Sequence, residues 1–407
     1  RVYMTKNSSN IIKSFLNDFP EIFHSPQKVN AYLKDYSKNI EEIIIKDFVN
    51  FRLKDDFAIY ANGGFGRQEL YPSSDIDLSI IQKKKNINNS DNLEKFIAKL
   101  WDLGLQVGHS VRTIKDIKKI AKEDPKEFTS YLTRRPLLTN KKTDESINLA
   151  LSKIWSKKKF YKVKLSEQEE RYKSFFSTEY NLEPNLKESP GTLRDFQTSL
   201  WILQHCFDLE NIDGIKKSKE FGNEIEEVIN SYNFVKTMRY ITNIISNKNR
   251  LTFEIQVEIA DKAKLKEGTT KRSVEKLMQK FYENASNLSN FNNLVFEKFK
   301  EQNQFAITKN YGEFFVRGSK IGLKKDANLE KQKELIFDIF IAIGKSKKIN
   351  AIETSSMSLL KNNLNLIDTN FRNDQKHASK FLEILKSQYN LSSILKSMKS
   401  IGVIQKY

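Results

Sequence analysis

Between residues 57 and 112 the hydrophobic pattern changes several times over short distances. Phe57-Ala58-Ile59-Tyr60-Ala61 is an unbroken apolar run of strand length, and Asn62-Gly63-Gly64 behind it calls for a tight turn. Residues 76 to 81 alternate, with Asp75, Asp77 and Ser79 on one face and Ile76, Leu78 and Ile80 on the other, which predicts a second strand. From 90 to 102 the spacing turns helical: Leu93, Phe96, Ile97, Leu100 and Trp101 form one stripe, and Ser90 is placed to cap it. Leu105 to Arg112 predicts a further strand, so the region reads as a small mixed α/β unit.

Beyond about residue 140 the three-four spacing of helices dominates, as in Ile225, Val228, Ile229 and Tyr232 or Val274, Leu277, Met278, Phe281 and Tyr282. Only seven prolines and fourteen glycines interrupt the chain, which favours long helices. One exception is Phe314 to Leu323, where Gly318-Ser319 splits two short apolar runs and predicts a β-hairpin. Helix resumes from Glu334 to Ile343 and from Ala378 to Leu385. The fold class that follows is α+β, a small mixed sheet followed by a mainly helical region with one hairpin.

Composition adjusts this picture little. No run approaches the roughly 18 apolar residues of a membrane helix, and no secretory signal pattern opens the chain, so the cytoplasm is the expected compartment and no membrane the expected partner. One cysteine, Cys206, and four histidines make a structural zinc cluster a poor expectation. The formal charge of +18 raises nucleic acid as a partner. The excess is diffuse, however: +5 up to Asn140 and +13 after it, with lysine supplying 56 of 69 basic residues. Runs such as Lys83-Lys84-Lys85 are short and isolated, so a solvated lysine surface is preferred to a nucleic-acid face.

The chemistry concentrates elsewhere. Asp75 and Asp77 stand two apart on a strand and project from one face, close enough to share a hard divalent cation such as Mg²⁺. Taken alone, such a pair is also an ordinary solvated strand edge. Gly63-Gly64-Phe65-Gly66-Arg67, ending eight residues earlier, adds bare backbone that can approach a triphosphate and an arginine fork to meet it. The plain alternative is a glycine-rich turn between strand and helix.

These residues resemble a known family. Residues 63–78, Gly-Gly-Phe-Gly-Arg-Gln-Glu-Leu-Tyr-Pro-Ser-Ser-Asp-Ile-Asp-Leu, are similar to the nucleotidyltransferase motif of the bacterial PII protein uridylyltransferase/uridylyl-removing enzymes, within the DNA polymerase β-like superfamily. Residues 100–113 and the segment from Asn181 to Asp195 resemble two further signatures, with weaker echoes at 249–253, 315–323 and 367–371. The resemblance implies Mg²⁺-dependent transfer of UMP from UTP to a tyrosine of the signalling protein PII. It assigns metal binding to Asp75 and Asp77, and nucleotide contact to Gly63, Gly64, Arg67 and Ser74. It also implies a nucleotidyltransferase domain over 1–140, an associated helical domain over 141–305, and a hairpin and helical region over 306–407.

Several readings stay open beside it. A third carboxylate is expected, with Asp124 and Asp116 as candidates. His109 either orients a phosphate or attacking hydroxyl, or is hydrogen-bonded beside the core strand. Lys187, Arg194 and Asp195 either close over the nucleotide or cap and salt-bridge the helix that begins near Leu193. Gln68 and Thr192 stand where the family usually has glycine, and Gln106 where some members have glutamate; a side chain at Gln68 is expected to crowd the loop. The family's metal-dependent hydrolase and ACT domains have no counterpart in this sequence, whether by truncation or by nature. Alternative functions are transfer to an RNA end or another protein, possibly from a different NTP, and a catalytically silent nucleotide-binding regulator.

Overall fold

The computed structural model describes residues 6–72, 74–83, 89–152, 154–175, 181–265, 270–302, 308–324 and 326–407. Ser73 of the glycine-aspartate motif and Lys84-Lys85 of the lysine run lie outside them. The chain forms two compact units, Arg1–Phe296 and Glu297–Tyr407.

In the first unit, α1 (Lys6–His24) and α2 (Val29–Asn50) lead to β1 (Phe57–Ala61), which turns through the short α3 (Gly63–Gly66) into β2 (Ile76–Gln82). Next come α4 (Ser90–Asp102), β3 (Val107–Arg112), α5 (Ile114–Glu123), α6 (Pro125–Leu132) and β4 (Arg135–Leu138). The strands form one sheet in the order β3-β2-β1-β4, with β2 antiparallel to β1 and parallel to β3. Strand β1 is central and buried along its whole length, as its unbroken apolar run requires. One face packs on a core that includes Phe48, Ile59, Leu78, Ile80 and Phe96, with Phe48 and Phe96 edge to face at 5.4 Å.

The alternation expected in β2 holds only at its start. Asp77 is exposed, but Ser79 and Ile81 are buried like the residues on the opposite face. Ser79 is covered because the Asn62 amide donates to its Oγ at 2.6 Å. Helix α4 carries the predicted stripe, yet Trp101 is 54% exposed, and Asn89 rather than Ser90 occupies its N-cap. Strand β4, for which the sequence pattern raised no expectation, contains Pro136; an edge strand tolerates the missing donor.

The rest of this unit is helical: α7 (Lys141–Leu151), α8 (Lys157–Lys173), α9 (Leu193–Cys206), α10 (Ile212–Lys217), α11 (Ile225–Ser246), α12 (Phe253–Lys262) and α13 (Thr270–Gln302). In the second unit β5 (Thr308–Tyr311), β6 (Phe314–Arg317), β7 (Lys320–Leu323) and β8 (Ala351–Ile352) form a sheet in that order. The predicted hairpin is β6-β7, and Gly318 at φ +61° makes its turn. Helices α14 (Leu335–Gly344), α15 (Thr354–Asn362), α16 (Thr369–Asn373), α17 (Gln375–Leu385), α18 (Leu391–Ile401) and α19 (Val403–Lys406) complete it around Phe337, Phe340, Ile384 and Met398. No helix among the described residues is long and apolar enough to cross a membrane.

Candidate active site

The glycine turn and the aspartate strand are held together by backbone. The Asn62 N–H donates to the Asp77 carbonyl at 2.9 Å, and the Gly66 N–H closes back on the Asn62 carbonyl at 2.8 Å. Gly63 has φ +54°, and a Cβ there would lie 2.6 Å from Asp77 Oδ2. Only glycine therefore fits the backbone and leaves that carboxylate oxygen open. Although Asp77 is accessible to solvent, partial desolvation by the surrounding protein pushes its carboxyl up, the charge of Asp75 pushes it further, and Lys187 and Arg67 pull against both.

These groups line a cavity of about 680 Å³ in the first unit. Gly63, Gly64, Arg67, Ser74, Asp75, Asp77, Lys187 and Arg194, which the sequence suggested separately, all face it. Arg67 is anchored by its Nε to Glu69 at 2.9 Å, and Glu69 also accepts from the Tyr232 hydroxyl. Arg194 makes a forked pair with Glu188, 2.9 Å and 3.3 Å, and its guanidinium lies over the Trp201 ring. Burial lowers the Lys187 ammonium, and the neighbouring Arg194 and Arg239 lower it further. The lining carries seven basic and six acidic residues, so it is a nucleotide-sized polar pocket rather than a cationic track for a polyanion.

The remaining candidates lie outside the lining. Asp116 accepts from the Thr113 backbone and hydroxyl, and so caps α5. Asp124 caps α6 through the Lys126 N–H at 2.7 Å. His109 is exposed on β3 beside Trp101, ring centroids 5.8 Å apart. Asp195 is fully buried, paired with Arg171 at 2.5 Å and accepting from the Tyr172 hydroxyl and the Gly191 N–H, both at 2.6 Å. It fixes the segment that carries Lys187.

The paired aspartates suit a divalent cation. Like charges sit side by side in partly desolvated surroundings, with an oxygen kept free by Gly63. Among the described residues no group of three or more His, Cys, Asp or Glu forms a ready cage, so a cation here would need oxygen ligands from a substrate as well.

Of the departures, Gln68 acts through its backbone. It has φ +56°, the left-handed region, and its side chain does not line the cavity, contrary to the expected crowding. Gln68→Gly is therefore expected to stabilise the protein by up to about 1 kcal/mol, read as a higher urea midpoint with an unchanged slope. A lower midpoint would refute the strain. Thr192 is accommodated with extended backbone, donating its hydroxyl to the Ser189 carbonyl at 2.5 Å. Gln106 is exposed and donates no side chain to the cavity, while its carbonyl accepts from Ile76 N–H at 2.8 Å.

Sequence reasoning missed one wall entirely. Lys164, Glu167, Gln168 and Arg171 recur on α8 at helical spacing and face the cavity, together with Trp201 of α9 and Arg239 of α11. The stripe was invisible to a search for apolar periodicity because it is polar. The available signal was the reverse pattern, charged and amide residues at i, i+3, i+4 and i+7.

The four-stranded mixed sheet and the helices around it make this an α+β protein, an architecture consistent with a polymerase β-like domain. Residues 159–296 match the family described as GlnD PII-uridylyltransferase, and residues 314–407 match the third domain of uridylyltransferase GlnD. The chain belongs to this PII-uridylyltransferase family. It is 29% identical over 403 residues to the bifunctional uridylyltransferase/uridylyl-removing enzyme of Ectopseudomonas mendocina, covering 95% of this chain and 44% of that one. It is 30% identical over 416 residues to that of Hydrogenovibrio crunogenus, covering 97% and 47%. For Pseudomonas aeruginosa the figures are 28% over 413 residues, 97% and 45%. The chain thus spans a little under half the length of the relatives it matches.

Proposed function

We propose that this chain is a nucleotidyltransferase that moves UMP from UTP to a tyrosine of a PII-type protein with release of pyrophosphate, in the cytoplasm and with Mg²⁺. The observation that carries the reading is that Asp75, Asp77, the glycine turn, Lys187 and Arg194 line one cavity although they come from separate stretches of sequence. The names of the relatives supply the nucleotide and the acceptor.

In this reading Asp75 and Asp77 hold Mg²⁺, which when bound neutralises charge on the triphosphate and on the departing pyrophosphate. Gly63 and Gly64 let phosphate oxygens approach the backbone, and Lys187, with Arg194 behind it, takes the negative charge that grows on the leaving group. The tyrosine hydroxyl loses its proton to solvent, and its oxygen forms the new bond to the α-phosphorus as the bond to pyrophosphate breaks. The nearly balanced lining favours this over an RNA acceptor. The division at about residues 140 and 305 belongs to the same proposal.

The test is incubation of the purified protein with Mg²⁺, a PII-type protein and each of four NTPs labelled at the α-phosphorus. Label from UTP on an acceptor tyrosine, with one pyrophosphate per label, is expected. Labelling chiefly from another NTP, or none on the PII-type protein, overturns the assignment.

A further inference from the structure

Helices α8 and α9 run antiparallel along one side of the cavity. Arg171 meets Asp195 at 2.5 Å at one end, the Lys164 ammonium lies 5.0 Å from the Trp201 ring centre in the middle, and Phe160 meets His205 at 4.7 Å at the other. This ladder puts Gln168 level with Thr198. The cavity is therefore graded. Asp77 lies within electrostatic reach of Lys187, Lys187 of Arg194, and Arg194 of Lys164. Lys164, which is not among the charges that act on Asp77, stands farther from the aspartates than Lys187, and Gln168 lies one turn along the same helix.

Two features of this part of the cavity point to a ligand. Gln168 lines the cavity, is more than nine-tenths buried, and its Oε1 has no hydrogen-bond partner. An orphaned buried amide oxygen is costly and leaves an acceptor open to a donor that enters the cavity. One helical turn earlier, Lys164 also lines the cavity; it is held in place by Glu167 at 2.8 Å and by the rings of Phe160 and Trp201, and its amine carries three hydrogens when protonated. Spaced i and i+4, the two side chains set a donor beside an acceptor on one helix face.

We propose that Lys164 and Gln168 read the base of the nucleotide, Lys164 donating to a ring carbonyl and Gln168 Oε1 accepting from the neighbouring ring N–H. The inference rests on the nucleotidyltransferase reading above and makes that same site selective. Uracil presents a carbonyl next to an N–H, the complement of this pair. Cytosine in the same pose sets its amino group against the Lys164 donor and a bare ring nitrogen against the Gln168 oxygen. The amide can flip; the amine of Lys164, fixed by Glu167 and two rings, keeps its place. Guanine offers the same edge on a larger ring, so GTP tests fit separately from hydrogen bonding.

The test is equilibrium binding of UTP, CTP, GTP and ATP with Mg²⁺ and no acceptor, on the full chain. The wild-type protein is expected to bind UTP at least tenfold more tightly than CTP. Gln168→Leu should bring that ratio below about threefold by weakening UTP and leaving CTP within threefold. Gln168→Glu, which keeps an acceptor oxygen, should retain the preference for UTP. Lys164→Met, which keeps the stem on Trp201, should act like Gln168→Leu. An unchanged UTP-to-CTP ratio in a folded Gln168→Leu protein overturns the assignment of these residues and leaves the transferase reading standing; a wild-type preference for CTP, GTP or ATP overturns it together with the choice of UTP as donor. Failure of the wild-type protein to bind any NTP overturns both.

Discussion

Replacing Asp77 with asparagine is expected to lower nucleotidyl transfer by roughly a thousandfold, and Asp75→Asn by a similar factor, because each removes half of the aspartate pair that lines the cavity with the glycine turn. The two variants should differ in stability from an ordinary loss of contacts. Partial desolvation and the Asp75 charge hold the Asp77 carboxyl above its usual value. A carboxyl raised by folding opposes the folded state once ionised, so the penalty is present at neutral pH and disappears as pH falls through the raised value. Asp77→Asn should therefore be as stable as the wild-type protein at pH 7, or more so, while losing activity. Full transfer in a folded Asp77→Asn protein would show that the chemistry lies elsewhere.

The part of the site that was legible in the sequence is the part imposed by backbone and local spacing. Gly63 is needed because a Cβ would press on Asp77, and the two aspartates share a face because strands alternate. Strand β1 and hairpin β6-β7 were likewise written in short apolar runs with turn residues at their ends. What was not legible depends on contacts between distant residues. Asp195 looks like a helix-start acid until α8 brings Arg171 and Tyr172 to it from 24 and 23 residues away. Trp101 fits the apolar stripe of α4, yet its ring lies exposed against His109. Ile81 and Ser79 break the alternation of β2 because that strand is covered on both faces, which a period-two reading cannot anticipate. The diffuse +18 charge is not gathered in the cavity, whose lining is close to neutral and whose acids and bases pair with one another, Arg67 with Glu69, Arg194 with Glu188 and Lys164 with Glu167.

The largest effect on stability is expected at Asp195. Its carboxylate is fully buried and holds three donors from two stretches of chain: the Arg171 guanidinium, the Tyr172 hydroxyl and the Gly191 N–H. Gly191 has no alternative arrangement, since it has φ +72° and a Cβ there would come within 2.3 Å of the Ala285 carbonyl. Asp195→Ala leaves a guanidinium, a hydroxyl and an amide without their acceptor and should cost about 3–5 kcal/mol, seen as a lower urea midpoint. Asp195→Asn, which preserves shape and one acceptor, should cost less. Arg171 also donates to the Glu188 carbonyl at 2.6 Å, and Glu188 holds Arg194, so freeing Arg171 loosens the segment that places Lys187 and Arg194 in the cavity. Nucleotide affinity should then fall in Asp195→Ala even well below its unfolding temperature, although Asp195 itself lines no part of the cavity. A wild-type urea midpoint in that variant would mean that Arg171 finds another partner and that the carboxylate is not what fixes the segment.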